Sequence, residues 1–318
     1  MLFIPILSHG LKPYNNMTLM DLTGVAEWFC SEVEQHHSWA AGKLGTSEFN
    51  ALNWFIQHRS QENPYPAQIK HDMFVNAGLW APPAISQDAV LDEWANATID
   101  AVKELNAIAI WNPMFQKEEA ALVSRLNPTA RHVPLRALEP FYTPTHQYTT
   151  KMTKGQVAVV SPFTESIQQQ IPRLQEVFPQ TVNQGPPGPM WLPTQTFRLI
   201  KAHYGPNITN KETWSPEILA AGPKAAIKHL ADQVVADPTT RYALVGIGAL
   251  SLPLVAELKR RGIVAIHTGG GTQIMFGIKG RRWDNHGTIS KFYNHAWIRP
   301  KAEEIPTEAA KVERGCYW

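Results

Sequence analysis

Tyr242-Ala243-Leu244-Val245-Gly246-Ile247-Gly248 opens the stretch that decides the fold. Its apolar run through Gly246 has the length of a strand buried on both faces of a parallel sheet. Gly246 and Gly248 allow a tight turn. Ser251 and Pro253 then read as N-cap and first-turn residues of a helix running to about Arg261, with Gly262 as its stop. Ile263-Val264-Ala265-Ile266-His267 is the next strand and leads into Thr268-Gly269-Gly270-Gly271-Thr272-Gln273. This order predicts a parallel βαβ unit with two glycine-rich corners side by side.

Such corners suit an anion. Helix N-termini carry unpaired N–H groups and partial positive charge, worth roughly 0.3–1 kcal/mol to an anion at an exposed site. Gly246, Gly248, Gly269, Gly270 and Gly271 leave the backbone open to a ligand, and Thr272 and Gln273 add polar side chains. Lys279, Arg281 and Arg282 follow closely; guanidinium groups match phosphate, and Trp283 offers a flat face for a base or sugar. The plainer account makes the glycines turns, the cations a solvated face and Trp283 core. It competes with each feature singly, and their coincidence favours a site. The run from Gly246 to Ser251 lacks the third glycine of a dinucleotide fingerprint, and no Walker A motif occurs, so NAD binding and ATP hydrolysis are weak readings.

Working outward, helices are predicted over 19–35, 47–58, 87–105, 117–124 and 222–236, and another from about 164 to Phe178. Strands are predicted over 107–111, 156–160 and 196–200. The proline-glycine run 184–189 is the strongest loop signal. The alternation predicts one α/β domain over 1–318: a doubly wound, mainly parallel, Rossmann-like sheet with helices on both faces. Residues 1–60 form an N-terminal helical part and 294–318 an irregular tail. A ligand would bind outside the carboxyl ends of the strands beginning near 107, 156, 242 and 263.

Glu48 stands out in the first part of the chain. It follows Gly45 at the predicted helix start, where Thr46 or Ser47 can cap and an acid complements the helix dipole. That structural role and a site role are evenly matched. His267, ending the last strand, is a candidate phosphate contact or general base, and Asp284 is another acid/base candidate. No His-Glu-x-x-His, Cys-x-x-Cys or Gly-x-Ser-x-Gly pattern occurs.

The 318 residues, 44% hydrophobic and 18% charged, suffice for a substantial core. A net charge of +2 gives no reason to expect nucleic acid as partner. The two cysteines, Cys30 and Cys316, form no disulfide framework, no apolar run has the length of a membrane span, and Met1 to Leu7 lacks the form of a signal peptide. The expectation is a cytoplasmic protein.

Leu244-Val245-Gly246-Ile247-Gly248-Ala249 through Lys259, followed by Gly262 through Gly271, resembles the sugar-nucleotide half of GT-D-type glycosyltransferases, first described as a domain of unknown function. Trp39-Ala40-Ala41-Gly42-Lys43-Leu44-Gly45-Thr46-Ser47-Glu48-Phe49 looks like the family's "R-x-G-D-G-E" segment, whose Asp-x-Glu serves metal and nucleotide diphosphate. Glu48 falls on the motif glutamate; Thr46 stands where the family has aspartate. The likeness spans about a third of the chain in two separated segments. It implies a glycosyltransferase taking a nucleotide-sugar donor and a glycan or glycoconjugate acceptor, with Gly45, Thr46 and Ser47 beside the donor and Glu48 as ligand to Mn²⁺ or Mg²⁺. Two other functions compete: a noncatalytic nucleotide- or glycan-binding module, and an adenosylmethionine-dependent methyltransferase, since a glycine turn after a buried strand also suits that cofactor.

Overall fold

The computed structural model describes residues 22–35, 37–61, 63–143, 145–179 and 189–318. The start of the predicted 19–35 helix and most of the 184–189 loop lie outside them.

Seven strands form one sheet: β1 (Trp39–Lys43), β2 (Ala107–Ala109), β3 (Arg131–Val133), β4 (Gln156–Ser161), β5 (Phe197–Lys201), β6 (Thr240–Val245) and β7 (Val264–His267). Their order is β3-β2-β1-β7-β6-β4-β5, and every pair is parallel. The helices in chain order are α1 (Leu22–Gln35), α2 (Thr46–His58), α3 (Ala67–His71), α4 (Gln87–Glu104), α5 (Gln116–Leu126), α6 (Thr164–Gln170), α7 (Leu174–Val177), α8 (Pro216–Ala221), α9 (Pro223–Val235), α10 (Ser251–Arg260) and α11 (Gly271–Met275).

Side chains alternate across each strand. Ala158 and Val160 of β4 and Ala243 and Val245 of β6 enter the core beneath α2, α4, α5, α9 and α10. Val157, Val159, Tyr242 and Leu244 enter the opposite core with α1, α6, α7 and the C-terminal segment. Burial on both faces explains why β4, β6 and β7 read as continuous apolar runs. The connections β1→β2→β3 and β6→β7 step one way along the sheet, whereas β4→β5 steps the other way and carries its helices on the other face. The direction reverses between β4 and β6, and a crevice opens there at the carboxyl ends. The doubly wound α/β fold is therefore the one expected.

The expected helical character of residues 1–60 needs correction, because Trp39–Lys43 is a central strand, paired with β2 and β7. The reason is steric. A Cβ on Gly42 would lie 2.7 Å from Leu252 Cδ1 and 3.2 Å from His267 Cβ, so α10 packs too closely for larger residues. Ala40, Ala41 and Gly42 at the centre of the strand carry little strand signal. β3, a polar edge strand, was likewise not predicted. The single helix expected up to Phe178 is broken at Ile171-Pro172-Arg173, where Pro172 lacks the N–H needed to continue it. The tail from 294 onward is irregular, built of short 3₁₀ turns.

Among the described residues, no helix is long and apolar enough to cross a membrane. Cys30 and Cys316 are both free thiols.

Candidate functional site

A cavity of about 490 Å³ opens at the carboxyl edge of the sheet. The segments following β1, β4, β5, β6 and β7 all contribute to its wall, as does the C-terminal segment through Trp318. The crevice between β4 and β6 thus extends along most of the sheet edge.

The two glycine corners adjoin, as the sequence predicts. Thr268 and Gly269 donate their N–H groups to Val245 O at 3.0 and 3.3 Å, joining the end of β7 to the end of β6. A Cβ on Gly246 would lie 2.6 Å from Gly269 O and 2.7 Å from Thr272 Oγ1, so glycine is what lets the corners touch. Gly248 and Gly269 adopt φ of +61° and +52°, the left-handed region that glycine enters readily.

The amides at these corners are largely spent on the turns themselves. Gly271, Thr272 and Gln273 donate to Thr268 O, Gly269 O and Gly270 O, and Gly246, Ile247 and Ala249 donate to Val160 O, Ser251 Oγ and Ala77 O. The expected amide cradle is correspondingly reduced. Ser251, expected as an N-cap, opens α10 as its first residue, and its hydroxyl holds the Ile247 amide at 2.9 Å.

The downstream cations divide. Arg282 lines the cavity, pairs with Glu313 and lies 4.6 Å from the Tyr317 ring centroid. Lys279 and Arg281 do not line it: the Lys279 ammonium sits 5.0 Å from the Tyr293 ring, and Arg281 is exposed on the outside. Asp284 is also outside, bonded to Arg299 at 2.8 Å. These three were expected at the site from nearness in sequence, but the turn Arg281–Trp283 sends neighbouring side chains different ways. Trp283 itself is buried, packed under Gly270, where a Cβ would lie 3.1 Å from its Cζ2.

Glu48 and its neighbours Gly45, Thr46 and Ser47 all line the cavity. Gly45 is the N-cap, without a side-chain cap, and the Glu48 carboxylate folds back over it, leaving no room for a Cβ. Glu48 accepts from its own amide, so the N–H groups of Thr46 and Ser47 remain as the positive end of α2. Burial pushes the Glu48 carboxyl above its ordinary pKa, and the Lys43 ammonium works against that rise.

Lys43, at the end of β1, is the principal site residue that the sequence reading missed. Among the described residues it forms no ion pair, and it lies 5.2 Å from the Trp111 ring. Its charge is felt by Glu48, Glu119, Glu139 and His267. Reading Trp39–Lys43 as a strand would have put Lys43 at a carboxyl end, where ligands bind. Glu139 was also missed; it lines the cavity from between two 3₁₀ turns, burial raises its pKa, and its partner Arg136 opposes the rise.

His267 is buried but lines the cavity. Its Nδ1 donates to Val245 O at 3.2 Å, which leaves Nε2 as an acceptor. Burial, then the Lys43 charge, pushes its pKa down to about 3, so the ring is neutral at physiological pH.

The loop after β2 shapes this end of the cavity. The buried Glu119 accepts the Trp111 and Asn112 amides at 2.9 and 3.1 Å, and Asn112 Nδ2 donates to Thr46 Oγ1 at 3.3 Å. Among the described residues, no group of three His, Cys, Asp or Glu converges as a metal site would require. Glu48 with the Thr46 and Ser47 hydroxyls supplies a single carboxylate next to a lysine, a poor donor set for Mg²⁺ or Mn²⁺.

Comparison with family models, with curated proteins and with solved structures gave no match.

Proposed function

We propose that this chain is a glycosyltransferase that takes its sugar from a nucleotide-sugar donor and passes it to a hydroxyl of a glycan or glycoconjugate. The observation that carries this reading is the arrangement at the end of β1: a lysine with no ion pair among the described residues, the first turn of α2 and a carboxyl of raised pKa line the same cavity. Lys43 and the Thr46 and Ser47 amides would take the diphosphate and stabilise the charge that builds on it as the glycosidic bond breaks. Glu48, its basicity raised by burial, would accept the proton of the attacking hydroxyl. The resemblance of the segment Trp39 to Phe49 to the diphosphate-binding segment of GT-D-type enzymes supports the same assignment. Lys43 would carry the countercharge that the family's motif assigns to metal.

The test is to incubate the protein with uridine, thymidine, guanosine and cytidine diphosphate sugars and measure release of nucleoside diphosphate. Release by the wild type, with at least a tenfold loss in Lys43→Met and in Glu48→Gln, is the expected result. A noncatalytic module would bind a donor without consuming it, and a methyltransferase would be stabilised by adenosylmethionine and not by sugar nucleotides. Either outcome overturns the proposal.

A further inference from the structure

Of the lysine and arginine side chains among the described residues, Lys43 and Arg282 line the cavity. They approach the same glycine corner. A Cβ on Gly269 would lie 3.6 Å from Lys43 Nζ, and one on Gly270 would lie 3.5 Å from Tyr317 Cε1, part of the ring that Arg282 meets at 4.6 Å. Lys43 has a part in the scheme above, and Arg282 has none.

Arg282 is held by Glu313. Of the ion pairs among the described residues, this is the one whose two partners both line the cavity. Their side chains keep 38% and 37% of their surface exposed, so dissolved ions can reach both. At that exposure an ion pair adds little to the stability of a fold. Nor does it alone fasten the C-terminal segment. The Glu313 amide donates to Asn76 Oδ1 at 3.0 Å, the Arg282 amide to Cys316 O at 2.9 Å, and Gln273 Nε2 to Tyr317 O at 3.0 Å. These bonds use no side-chain atom of Arg282 or Glu313.

The backbone at Glu313 is unusual. Glu313 and Arg314 adopt φ of +45° and +60° ahead of Gly315 at +73°, so two successive residues with side chains occupy the left-handed region. Such strain persists where the surroundings impose it, and it gathers at ligand clamps and switch segments. The Glu313 carboxylate meets Arg282 here, with Cys316 Sγ 3.3 Å away, and its charge is felt at Glu48. A guanidinium binds phosphate in the same forked manner as it binds a carboxylate, and a pyrophosphate group brings more charge and more oxygens than one carboxylate.

We propose that Glu313 is an autoinhibitory side chain: its carboxylate competes with the ligand for Arg282, and a diphosphate entering beside Lys43 takes the guanidinium from it as a second cationic contact. This rests on the donor reading proposed above, which puts the diphosphate at Lys43. Glu313 then holds the affinity of the site below what two uncommitted cations would give.

Calorimetric titration of the full chain with inorganic pyrophosphate, and a crystal soaked with it, test the proposal. Glu313→Gln, which keeps the shape and removes the charge, should bind pyrophosphate about threefold or more tightly than the wild type. Arg282→Met should bind it about tenfold more weakly. In the soaked crystal the Arg282 guanidinium should contact pyrophosphate and not Glu313. Should Arg282→Met fail to fold, Glu313→Gln and the soaked crystal decide. Glu313→Gln no tighter than the wild type, Arg282→Met equally tight, or pyrophosphate bound beside an intact ion pair overturns the competition; if Lys43→Met still binds more weakly, the diphosphate site stands. Failure of the wild type and Glu313→Gln alike to bind pyrophosphate overturns the diphosphate site and the competition together.

Discussion

The indole N–H of Trp111 donates to the Leu44 carbonyl at 2.7 Å, tying the loop after β2 to the loop after β1. The same ring lies 5.2 Å from the Lys43 ammonium, so one side chain both anchors the turn into α2 and faces the cation before it. Trp111→Leu removes the hydrogen bond and the ring together. A loss of stability of about 1–3 kcal/mol is expected from denaturant unfolding, with weaker pyrophosphate binding.

Lys43→Met should weaken pyrophosphate binding at least tenfold, because it removes the ammonium that stands at the β1 end of the cavity. Lys279→Ala and Arg281→Ala should bind like the wild type, since neither side chain lines the cavity. Titration calorimetry of the three variants separates a site built on β1 from one built on the downstream cation cluster.

Gly246→Ala places a methyl group 2.6 Å from Gly269 O, a backbone atom that cannot swing aside. The two corners must part, at a cost of about 1–3 kcal/mol. A lowered melting temperature with impaired ligand binding is the expected pair of results, and wild-type behaviour in both would mean that the corners do not need their close contact.

His267 gives the stability curve an acid limb. In the unfolded chain its imidazole takes up a proton below its ordinary value of 6.5, while the folded ring stays neutral to about 3. Between those pH values the unfolded state binds more protons, so stability rises with pH and is lost as pH falls, on the order of 5 kcal/mol across the whole window. His267→Asn, which retains a donor for Val245 O, should flatten this limb in urea unfolding measured from pH 7 to pH 4.

Removing residues 314–318 takes away Tyr317 and Trp318 from the cavity wall, as well as the Cys316 carbonyl that accepts the Arg282 amide at 2.9 Å. The shortened chain should melt at lower temperature and also lose donor binding. Unchanged binding with a lower melting temperature would restrict this segment to a packing role.

The β4, β6 and β7 strands and helices α4, α9 and α10 were legible because their signals are local: apolar runs bounded by turns, and helical spacing with caps and stops. The same was true of the adjoining glycine corners, since consecutive parallel strands usually neighbour each other. β1 was not legible, because its short Ala40-Ala41-Gly42 run carries little strand signal and resembles a turn. Lys43 was missed along with it. Lys279, Arg281 and Asp284 were placed at the site on nearness in sequence, and the Arg281–Trp283 turn points them away from the cavity.

Sequence by itself determined the class of the fold, through hydrophobic runs that only a sheet covered on both faces can bury, and the positions where glycine corners must turn. Tertiary structure alone decided which charges face the cavity. A side chain's place in a cavity depends on strand order and on what packs behind it, and strand order brings Lys43, Glu139, His203 and Trp318, far apart along the chain, to one wall.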